Sequence, residues 1–531
     1  MLIRKCGDAN ATPLVIRALS QLKDGGTLIF EPGEYHFYEE GTESRFLAPS
    51  NNSTGKKNIV FPIIDCRDLM IDGGGSTFVF HDLAFPFVIR NSRGVTVKNM
   101  TVTTRFPSFV LATVCDIDES GFSFKIDRES SPFHTENGHL IFDLEHRAVA
   151  THDRKLSLHQ LSTLWVRYLY AGDCSESKEN LAAPFFDTDA CEIEDGVRFT
   201  YRNTPGSVRC DYAEGEKIAV NLEERRERDV FFLEDSEELE IRDVTVRRGG
   251  GMGIVAQMCR NITVDGFHAE PNNGEPVSLT ADVFHFIQCD GSLTIENSTL
   301  CSSLDDACNI HGNYMIAERA DGREAAARYG HKDHDHAFYC RPGDVLDFID
   351  PDTLAIVGHA TLSDISFTDH EALHLHLSFK EKPNFPIRQG MLIENPKRMP
   401  EVTIRNNHWY NFPHVRLSGA GKTLVEKNNF HDCGCAVMAF DLAGYWLESG
   451  RMSELCIREN RFGPCRAACI IAGVSGFKGK ATPDIHGTIR IEKNDFTTEN
   501  GGKVLDVFGF SRVIVRDNTE NGKPFYALCR I

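Results

Sequence analysis

The sequence lacks any long apolar run. No stretch approaches the ~18 residues that a membrane-spanning helix needs, so none is predicted. Positive charge is also scarce, because 57 Lys and Arg face 77 Asp and Glu, for a formal net charge of −20. Phosphate contacts need clustered Lys and Arg, so nucleic acid and anionic membrane are poor partners. A neutral or cationic ligand fits this balance better.

The 17 cysteines contain no Cys-x-x-Cys pair; the nearest spacings are Cys433-Gly-Cys435 and Cys465-x-x-x-Cys469. An odd, unpatterned set indicates buried thiols in a reducing compartment and not a disulfide framework. The N-terminus has no apolar segment followed by a cleavage site. We therefore expect a cytoplasmic protein, with removal of a secretory signal as the alternative.

What the chain has in abundance is a repeated motif. With 531 residues it is too long for one ordinary core, so several domains or a repeat architecture are expected. Five segments follow the pattern apolar-x-x-Asn-x-aromatic, the last without its aromatic residue. The segments are Ile404–Trp409, Val425–Phe430, Ile457–Phe462, Ile491–Phe496 and Val515–Asn518. The repeated Asn positions 407, 428, 460, 494 and 518 are 21, 32, 34 and 24 residues apart.

This repeat predicts an all-β chain that forms a right-handed parallel β-helix. Short strands with alternating apolar and polar residues cannot bury their faces alone, so successive coils stack. An Asn at a fixed turn position suits a left-handed backbone, and stacked Asn side chains can bond along the axis. Leucine-rich repeats are the main rival, but their Leu-x-x-Leu-x-Leu frame is absent.

Two stretches interrupt the repeat and divide the chain. Their short strands with Gly and Pro turns predict small inserted β-barrels. The expected division is N-terminal coils at 1–110, a first barrel at 111–232, catalytic coils at 233–312, a second barrel at 313–396 and C-terminal coils at 397–531.

A short helix is expected to cover the N-terminal end of the coils. Thr12 is a good N-cap, Pro13 suits the first helical position, and Gly25 ends the segment. Its apolar stripe is predicted to comprise Leu14, Ala18, Leu19 and Leu22.

The candidate catalytic stretch is Ser302–Gly312, where Asp305 and Asp306 interrupt an apolar segment. Asp282 lies 23 residues before Asp305 and 24 before Asp306, which is about one coil. Neighbouring parallel strands are ~4.8 Å apart, so the three carboxyls should crowd one place. Such crowding raises at least one pKa and suits acid and base chemistry at a glycosidic bond.

Strand parity conflicts with this grouping. In a regular pleat Asp305 and Asp306 face opposite sides, and inward Phe284 would place Asp282 inward as well. We therefore predict a β-bulge or a bend beside the Asp residues.

Further side chains are candidates for sugar contacts. They are His285, Asn309 and His311 near the carboxyls, with Trp409 and Arg416 from later coils. Ordinary surface and core packing is the alternative for each. The run His331–His336 has no Cys and sits in a polar stretch, so an exposed loop is expected there and no metal site.

Three motifs, Ala281–His285, Leu304–Gly312 and Gly253–Ile262, resemble glycoside hydrolase family 110, the α-1,3-galactosidases. The resemblance covers the full length, including two inserted β-barrels. It implies inverting, exo-acting release of terminal α-1,3-linked galactose from blood-group-B or linear αGal glycans. It implies no metal or organic cofactor, and a homodimer is compatible with it.

By analogy with polygalacturonases, which use a similar Asp and Asp-Asp arrangement, Asp305 is expected to protonate the leaving oxygen. Asp282 and Asp306 would then hold and deprotonate the attacking water. Asp305 and Asp306 could exchange roles.

Two alternatives remain open. One is a polygalacturonase-like glycosidase acting on acidic polysaccharide, which would need Arg and Lys in the cleft to pair with uronates. The other is a non-catalytic carbohydrate-binding solenoid, in which replacing the three Asp residues would not affect glycan handling. A fucose requirement beside the galactose is not decided by the sequence.

Overall fold

The chain alternates between two long sheets, and each return places it one coil further along. In the computed structural model, the described residues are 1–7, 9–107, 109–144, 147–150, 158–160, 166–170, 188–202, 213–221, 226–272, 275, 277–419, 421–441, 446–474, 485–499 and 502–526. Coil-to-coil pairing is parallel; Phe231, for example, pairs with Phe87 on one side and Ile254 on the other. The predicted parallel β-helix is therefore present.

The first sheet has twenty strands among the described residues. They are Leu2–Ile3, Gly26–Phe30, Glu34–Phe37, Arg67–Phe80, Arg93–Thr104, Glu237–Val246, Arg260–Ala269, Asp290–Glu296, Thr299–Cys301, Glu401–Arg405, His408–Tyr410, Lys422–Glu426, Asn429–His431, Glu454–Arg458, Arg461–Phe462, His486–Glu492, Asp495–Phe496, Phe510–Arg516, Asn518–Glu520 and Lys523–Phe525.

The second sheet has twelve strands in the part of the chain that is described, and it carries the candidate site at one edge of its coils. They are Glu43–Leu47, Gly55–Ile64, Phe85–Arg90, Phe231–Glu234, Ile254–Gln257, Phe284–Ile287, Cys308–Asn313, His414–Leu417, Cys435–Asp441, Glu448–Ser449, Ile470–Val474 and Leu505–Val507. Apolar side chains from both sheets form one continuous buried core between them.

The repeated asparagines form a buried ladder along the axis. The amide of Asn428 donates to Asn460 Oδ1 at 3.0 Å, and Asn460 donates in the same way to Asn494 at 3.0 Å. The aromatic positions stack beside the ladder, with Phe430 and Phe462 ring centroids 5.1 Å apart and nearly parallel. The stacked-Asn prediction is correct.

The left-handed backbone lies one residue earlier than expected. The residues just before the repeated Asn have positive φ, whereas the repeated Asn do not. These preceding residues are Asn406, Lys427, Glu459, Lys493 and Asp517, with φ of 56–57°. The turn bends at that position, which leaves the Asn side chain directed inward to bond the next coil.

The N-terminal helix spans Thr12–Ser20 and packs on strand Gly55–Ile64. Its N-cap is Ala11 and not Thr12, and the side chain of Asn10 accepts from the backbone N–H of Thr12 at 2.9 Å. Val15 is buried where Leu14 was expected, because Leu14 is 38% exposed. The predicted stripe is therefore partly wrong.

The two interruptions are present as additional sheets. The first contains a seven-stranded sheet of Phe109–Asp118, Gly121–Ile126, Leu158–Gln160, Val166–Tyr170, Thr188–Ile193, Gly196–Tyr201 and Lys217–Asn221, and a three-stranded sheet of Phe133–Glu136, His139–Leu144 and Arg147–Ala150. Parts of this interruption lie outside the described residues.

In the second interruption six strands close on themselves. They are Met315–Asp321, Glu324–Tyr329, Val345–Ile349, Ile356–Phe367, His374–Phe379 and Leu392–Glu394, with a 3-10 turn at Lys332–His334. The division into two inserted barrel domains with the boundaries given above stays a prediction. Over the part of the chain that is described, no helix is long and apolar enough to cross a membrane.

Candidate active site

Asp282 and Asp306 lie at the same level on adjacent coils. Each occupies a bend just before its strand, Phe284–Ile287 and Cys308–Asn313, and these strands pair in regular parallel register. The backbone N–H of Val283 donates to the carbonyl of Asp306 at 3.0 Å, which continues the pairing past the bends. The predicted neighbourhood of the carboxyls is therefore observed.

The irregularity predicted beside the Asp residues is present as a bend and not as a β-bulge. The register between the two strands has no shift, and the Asp residues precede the strands instead of interrupting them. Ser302, with φ of 57°, begins the bend that carries Asp305 and Asp306. Strand parity does not apply outside a pleat, so the conflict noted in the sequence disappears.

Asp282 is the most deeply buried of the three carboxyls, at 3% exposure. Its Oδ2 lies 2.9 Å from Nδ1 of His285. Burial, followed by the negative charges of Asp305 and Asp306, raises the pKa of Asp282 well above its usual value. Burial and the neighbouring charges therefore favour the protonated form of Asp282.

Asp305 and Asp306 each face a cationic partner. Asp305 is 40% exposed, and its Oδ2 accepts from Nη2 of Arg226 at 2.8 Å. Asp306 is buried, and its Oδ1 lies 2.7 Å from Nδ1 of His414. Burial opposes the charged form of His414, but the charge and hydrogen bond of Asp306 outweigh it and raise the pKa of His414.

Two buried imidazoles lie beneath Asp282. Nε2 of His285 is 3.1 Å from Nε2 of His311, and Nδ1 of His311 is 2.7 Å from the carbonyl oxygen of Gly312. Burial lowers the pKa of both His285 and His311 to about 4. Because both rings are buried, their neutral forms are favoured.

Glu448 is a fourth carboxylate that sequence reasoning missed. Its short strand pairs antiparallel with the end of Cys308–Asn313. It accepts from the amide of Asn309 at 3.1 Å and pairs with Arg416 at 3.0 Å. Burial acts to raise the pKa of Glu448, but His311 and Arg416 lower it to about 2. No local motif marks this Glu, which is 139 residues from Asn309 in the chain.

The predicted sugar contacts divide into two groups. Arg416 keeps 17% of its side chain exposed, and Asn309 is held beside it by Glu448. Trp409 is wrong as a sugar contact, because it is fully buried and stacks on Phe430 in the core. His285 and His311 are likewise enclosed, so the prediction that they contact a sugar directly is wrong. They instead support Asp282 from below.

The histidine run of the second interruption is also not the exposed loop that was expected. His334 is fully buried, and burial lowers its pKa to about 3, with His311 and Glu448 among the charges that it senses. The neighbouring Asp333 carbonyl accepts from the N–H of Asn51 at 3.0 Å, and Asp335 accepts from Thr54 at 2.6 Å. This run therefore joins the N-terminal loop beside the site.

The glycine-rich stretch before the catalytic coils provides close packing. A Cβ on Gly253 would lie 2.5 Å from the carbonyl oxygen of Val283, and one on Gly251 would lie 2.6 Å from Asp229 Oδ1. Asp229 accepts from the N–H of Met252 at 2.8 Å, and burial raises its pKa to about 7. The glycines thus let their own coil lie close to Asp229 on one side and to the coil of Asp282 on the other.

The described site contains carboxyls, imidazoles, guanidinium groups and an amide. Within the described part of the chain, no group of three or more His, Cys, Asp or Glu side chains is placed to hold a metal ion. A proton donor and a water-activating carboxylate are both available, which is the set that glycoside hydrolysis requires.

Comparison with known proteins gives relatives over most of the chain. No protein-family model matches. The chain is 28% identical over 510 residues to alpha-1,3-galactosidase A of Shewanella woodyi, covering 92% of this chain and 80% of the relative. It is 27% identical over 562 residues to alpha-1,3-galactosidase B of Bacteroides fragilis, covering 97% of this chain and 90% of the relative. The resemblance stated from the sequence is confirmed.

Solved structures with similar architecture are more distant. The family 28 exopolygalacturonase of Yersinia enterocolitica matches with a TM-score of 0.39 and 9% identity, over 99% of this chain and 79% of that one. The polygalacturonase of Erwinia carotovora matches with a TM-score of 0.39 and 8% identity, over 98% and 96%. Similarity at this level does not bear on activity.

Proposed function

We propose that this chain, which resembles the α-1,3-galactosidases of glycoside hydrolase family 110 along most of its length, is an inverting exo-acting glycoside hydrolase. Its substrate is a glycan with terminal α-1,3-linked galactose, such as a blood-group-B or linear αGal structure. The prediction of a glycoside hydrolase is confirmed by the relatives. The observation that supports the site assignment is the meeting of Asp282, Asp305 and Asp306 on adjacent coils.

In the proposed mechanism, Asp305 protonates the leaving oxygen. It is the exposed carboxyl of the three, so it is accessible to a bound glycan. Nη2 of Arg226 donates to its Oδ2 at 2.8 Å and holds the side chain in place. Asp282 and Asp306 hold the attacking water on the opposite side, and inversion requires room for that water between acid and base.

These proton transfers require only carboxyls and water, so neither a metal ion nor an organic cofactor forms part of the proposal. The right hand of the helix follows the strong preference of parallel crossovers. We also propose that the chain carries two inserted β-barrels, forms a homodimer and is located in the cytoplasm. Nucleic acid and membrane are not proposed as partners, given the net charge of −20.

Charge pairing favours a neutral sugar over an acidic one. Arg226 is engaged by Asp305, and Arg416 by Glu448. A uronate would have to compete with these carboxylates for the guanidinium groups and would approach two further acids, Asp282 and Asp306. A polygalacturonase-like activity is therefore the second candidate.

The deciding experiment presents linear and fucosylated α-1,3-galactosides to the full chain, with NMR observation of the anomer first released. Inversion predicts β-galactose as the initial product. Initial release of α-galactose would contradict the inverting mechanism. Turnover of polygalacturonate with no release of galactose would overturn the assigned substrate.

The matched variants are Asp305→Asn and Asp306→Asn, each expected to lower kcat by about 100-fold or more on a natural glycan. Asp195→Asn is the control, because Asp195 is exposed and pairs with Lys125 in the first interruption. Equal activity of all three variants would support the non-catalytic solenoid.

A further inference from the structure

A continuous chain of hydrogen bonds leads from Asp282 into the interior. Asp282 Oδ2 is 2.9 Å from His285 Nδ1, and His285 Nε2 is 3.1 Å from His311 Nε2. The last contact, at 2.7 Å, joins His311 Nδ1 to the carbonyl oxygen of Gly312. The side chains of Asp282, His285 and His311 are all buried. Because the three side chains are buried, each of the three contacts must be made by one donor and one acceptor within this chain.

Counting protons along this chain begins at its inner end. The carbonyl of Gly312 can only accept, so His311 Nδ1 carries a hydrogen. In a neutral His311 the Nε2 atom is then an acceptor, so Nε2 of His285 carries the next hydrogen. A neutral His285 leaves Nδ1 as an acceptor, and the proton of the third contact belongs to Asp282. An ionised aspartate with two neutral imidazoles would lack this third proton.

The charges around the chain agree with a proton on Asp282. The titratable and charged groups that surround it are Asp229, Arg226, Asp305, Asp306, Cys308, His334, Arg416 and Glu448. Burial lowers the pKa of His285 and raises that of Asp282, so the carboxyl binds the shared proton in preference to the imidazole.

We propose, on the basis of the function proposed above, that His285 and His311 are positioning residues that act through Asp282. When Asp282 Oδ1 takes a proton from the attacking water, the proton on Oδ2 passes to Nδ1 of His285. One water O–H bond and one carboxyl O–H bond break, while a new O–H and a new N–H bond form. Asp282 stays neutral, and the positive charge appears on His285.

This route assigns different parts to the two carboxyls that hold the water. Asp306 is held by a 2.7 Å hydrogen bond with His414, whose charged form it favours. The Asp282 chain instead ends in a neutral ring pair, and Glu448 lies 3.8 Å from His311 Nε2. That buried carboxylate stabilises the positive charge that arrives on the pair.

The proton count can be measured without any activity. The full chain labelled with ¹⁵N-histidine is observed by NMR, with assignments from His285→Asn and His311→Gln. We expect protonated His311 Nδ1 and His285 Nε2, an unprotonated His285 Nδ1, and no titration of either ring near its ordinary pKa of about 6.5. A His311 ring protonated at Nε2 alone, or either ring titrating near that value, would overturn the proposal.

The relay itself is tested by kinetics on an α-1,3-galactoside. The amide of His285→Asn can donate to Asp282 but cannot take its proton, so kcat is expected to fall about 100-fold with little change in KM. His311→Gln keeps an acceptor for His285 and should retain activity within about tenfold, whereas His311→Leu should lose as much as His285→Asn.

The pH profile separates a relay from mere structural support. In His285→Asn, Asp282 can act as a base only after it has lost its own proton, and Asp305 and Asp306 oppose that loss, so the acid limb of kcat/KM moves to higher pH. His408→Gln is the control, since His408 forms a 2.8 Å pair with His431 on the other sheet. An unchanged profile in His285→Asn would overturn the relay. A wild-type chain inactive on every α-galactoside would refute the proposed function, and the NMR result would still decide the proton count.

Discussion

At the scale of single residues, three aspartates of identical chemistry have different environments. Asp282 is enclosed and contacts a ring with low pKa, whereas Asp306 contacts a ring with raised pKa. Asp305 remains 40% exposed beside a guanidinium. Because environment and not residue type sets the proton affinity of a carboxyl, the three can take different roles in one reaction.

The identity of the general acid can be read from leaving-group dependence. α-Galactosyl fluoride needs no proton on its leaving group, so Asp305→Asn should hydrolyse it far better than it hydrolyses a natural glycan. Asp306→Asn should remain impaired on both substrates, since water activation is still required. Steady-state rates of both variants on both substrates measure this. The opposite result would exchange the roles of the two residues.

The buried Glu448 is expected to stabilise the fold as well as the site. Its folded pKa of about 2 lies below its unfolded value of about 4.3, so its contribution is present above the unfolded pKa. We expect Glu448→Gln to lower the free energy of unfolding by about 2–3 kcal/mol near pH 7, since Arg416 loses its buried partner. The difference from wild type should shrink as the pH falls from about 4.3 towards 2.

Urea denaturation followed by tryptophan fluorescence at several pH values measures this difference. Glu454→Gln is the matched control, because Glu454 is 40% exposed where it pairs with Arg490. Exposed pairs contribute about 0–1 kcal/mol, so this variant should be close to wild type. A Glu448→Gln deficit that persists unchanged at low pH would contradict the charge-based explanation.

At the scale of structural elements, the Asn ladder joins the C-terminal coils. Asn460 Oδ1 accepts from both the backbone and the side chain of Asn428, while its own amide donates to Val425 and Asn494. Its removal leaves buried polar groups unsatisfied at about 1–3 kcal/mol each. We therefore expect Asn460→Ala to lower the free energy of unfolding by about 2–4 kcal/mol in urea denaturation.

The control for the ladder is Asn429→Ala, because Asn429 is exposed and lies next to the ladder residue Asn428. A surface substitution of this kind should change the free energy of unfolding by no more than about 0.5 kcal/mol. Equal losses for Asn460→Ala and Asn429→Ala would show that the side-chain ladder does not hold the coils together.

Periodic elements were predictable because their signal repeats. The repeated Asn occurs five times and the aromatic residue beside it four times, and the structure stacks them as expected. The left-handed backbone position lies one residue before the repeated Asn, at Lys427 and its equivalents. It was not predictable, because the residue types there are not restricted to Gly or Asn. The N-cap shifted to Ala11 because Asn10 supplies the side-chain oxygen from one residue earlier.

At the scale of the whole molecule, the site draws on segments far apart in the chain. The loop around Asn51 contacts Asp333 of the second interruption, and Glu448 enters from the C-terminal coils. The coil repeat made Asp282 and Asp306 predictable neighbours. Glu448 and His334 could not be placed in this way, because they enter from non-repeating segments whose path no periodicity describes.

The contact between the N-terminal loop and the second interruption is open to test. Thr54 donates to Asp335 at 2.6 Å, and Thr54→Val removes the hydroxyl while keeping the shape. We expect a few-fold loss in kcat/KM on a natural glycan, because the segments beside the site are less firmly held. Thr353→Val is the control, since Thr353 makes a similar bond to Asp350 in an exposed turn. Equal kinetics for the two variants would contradict the prediction.

The long interruption between the strand of Asp306 and its neighbour has a consequence for the order of synthesis. His414 follows Asp306 by 108 residues, and Arg416 and Glu448 come later still. At about 5–20 residues per second, a ribosome needs roughly 5–20 s to cover that distance. During this time the nascent chain holds all three aspartates without His414, Arg416 or Glu448. The electrostatic balance of the site is therefore completed only late in translation.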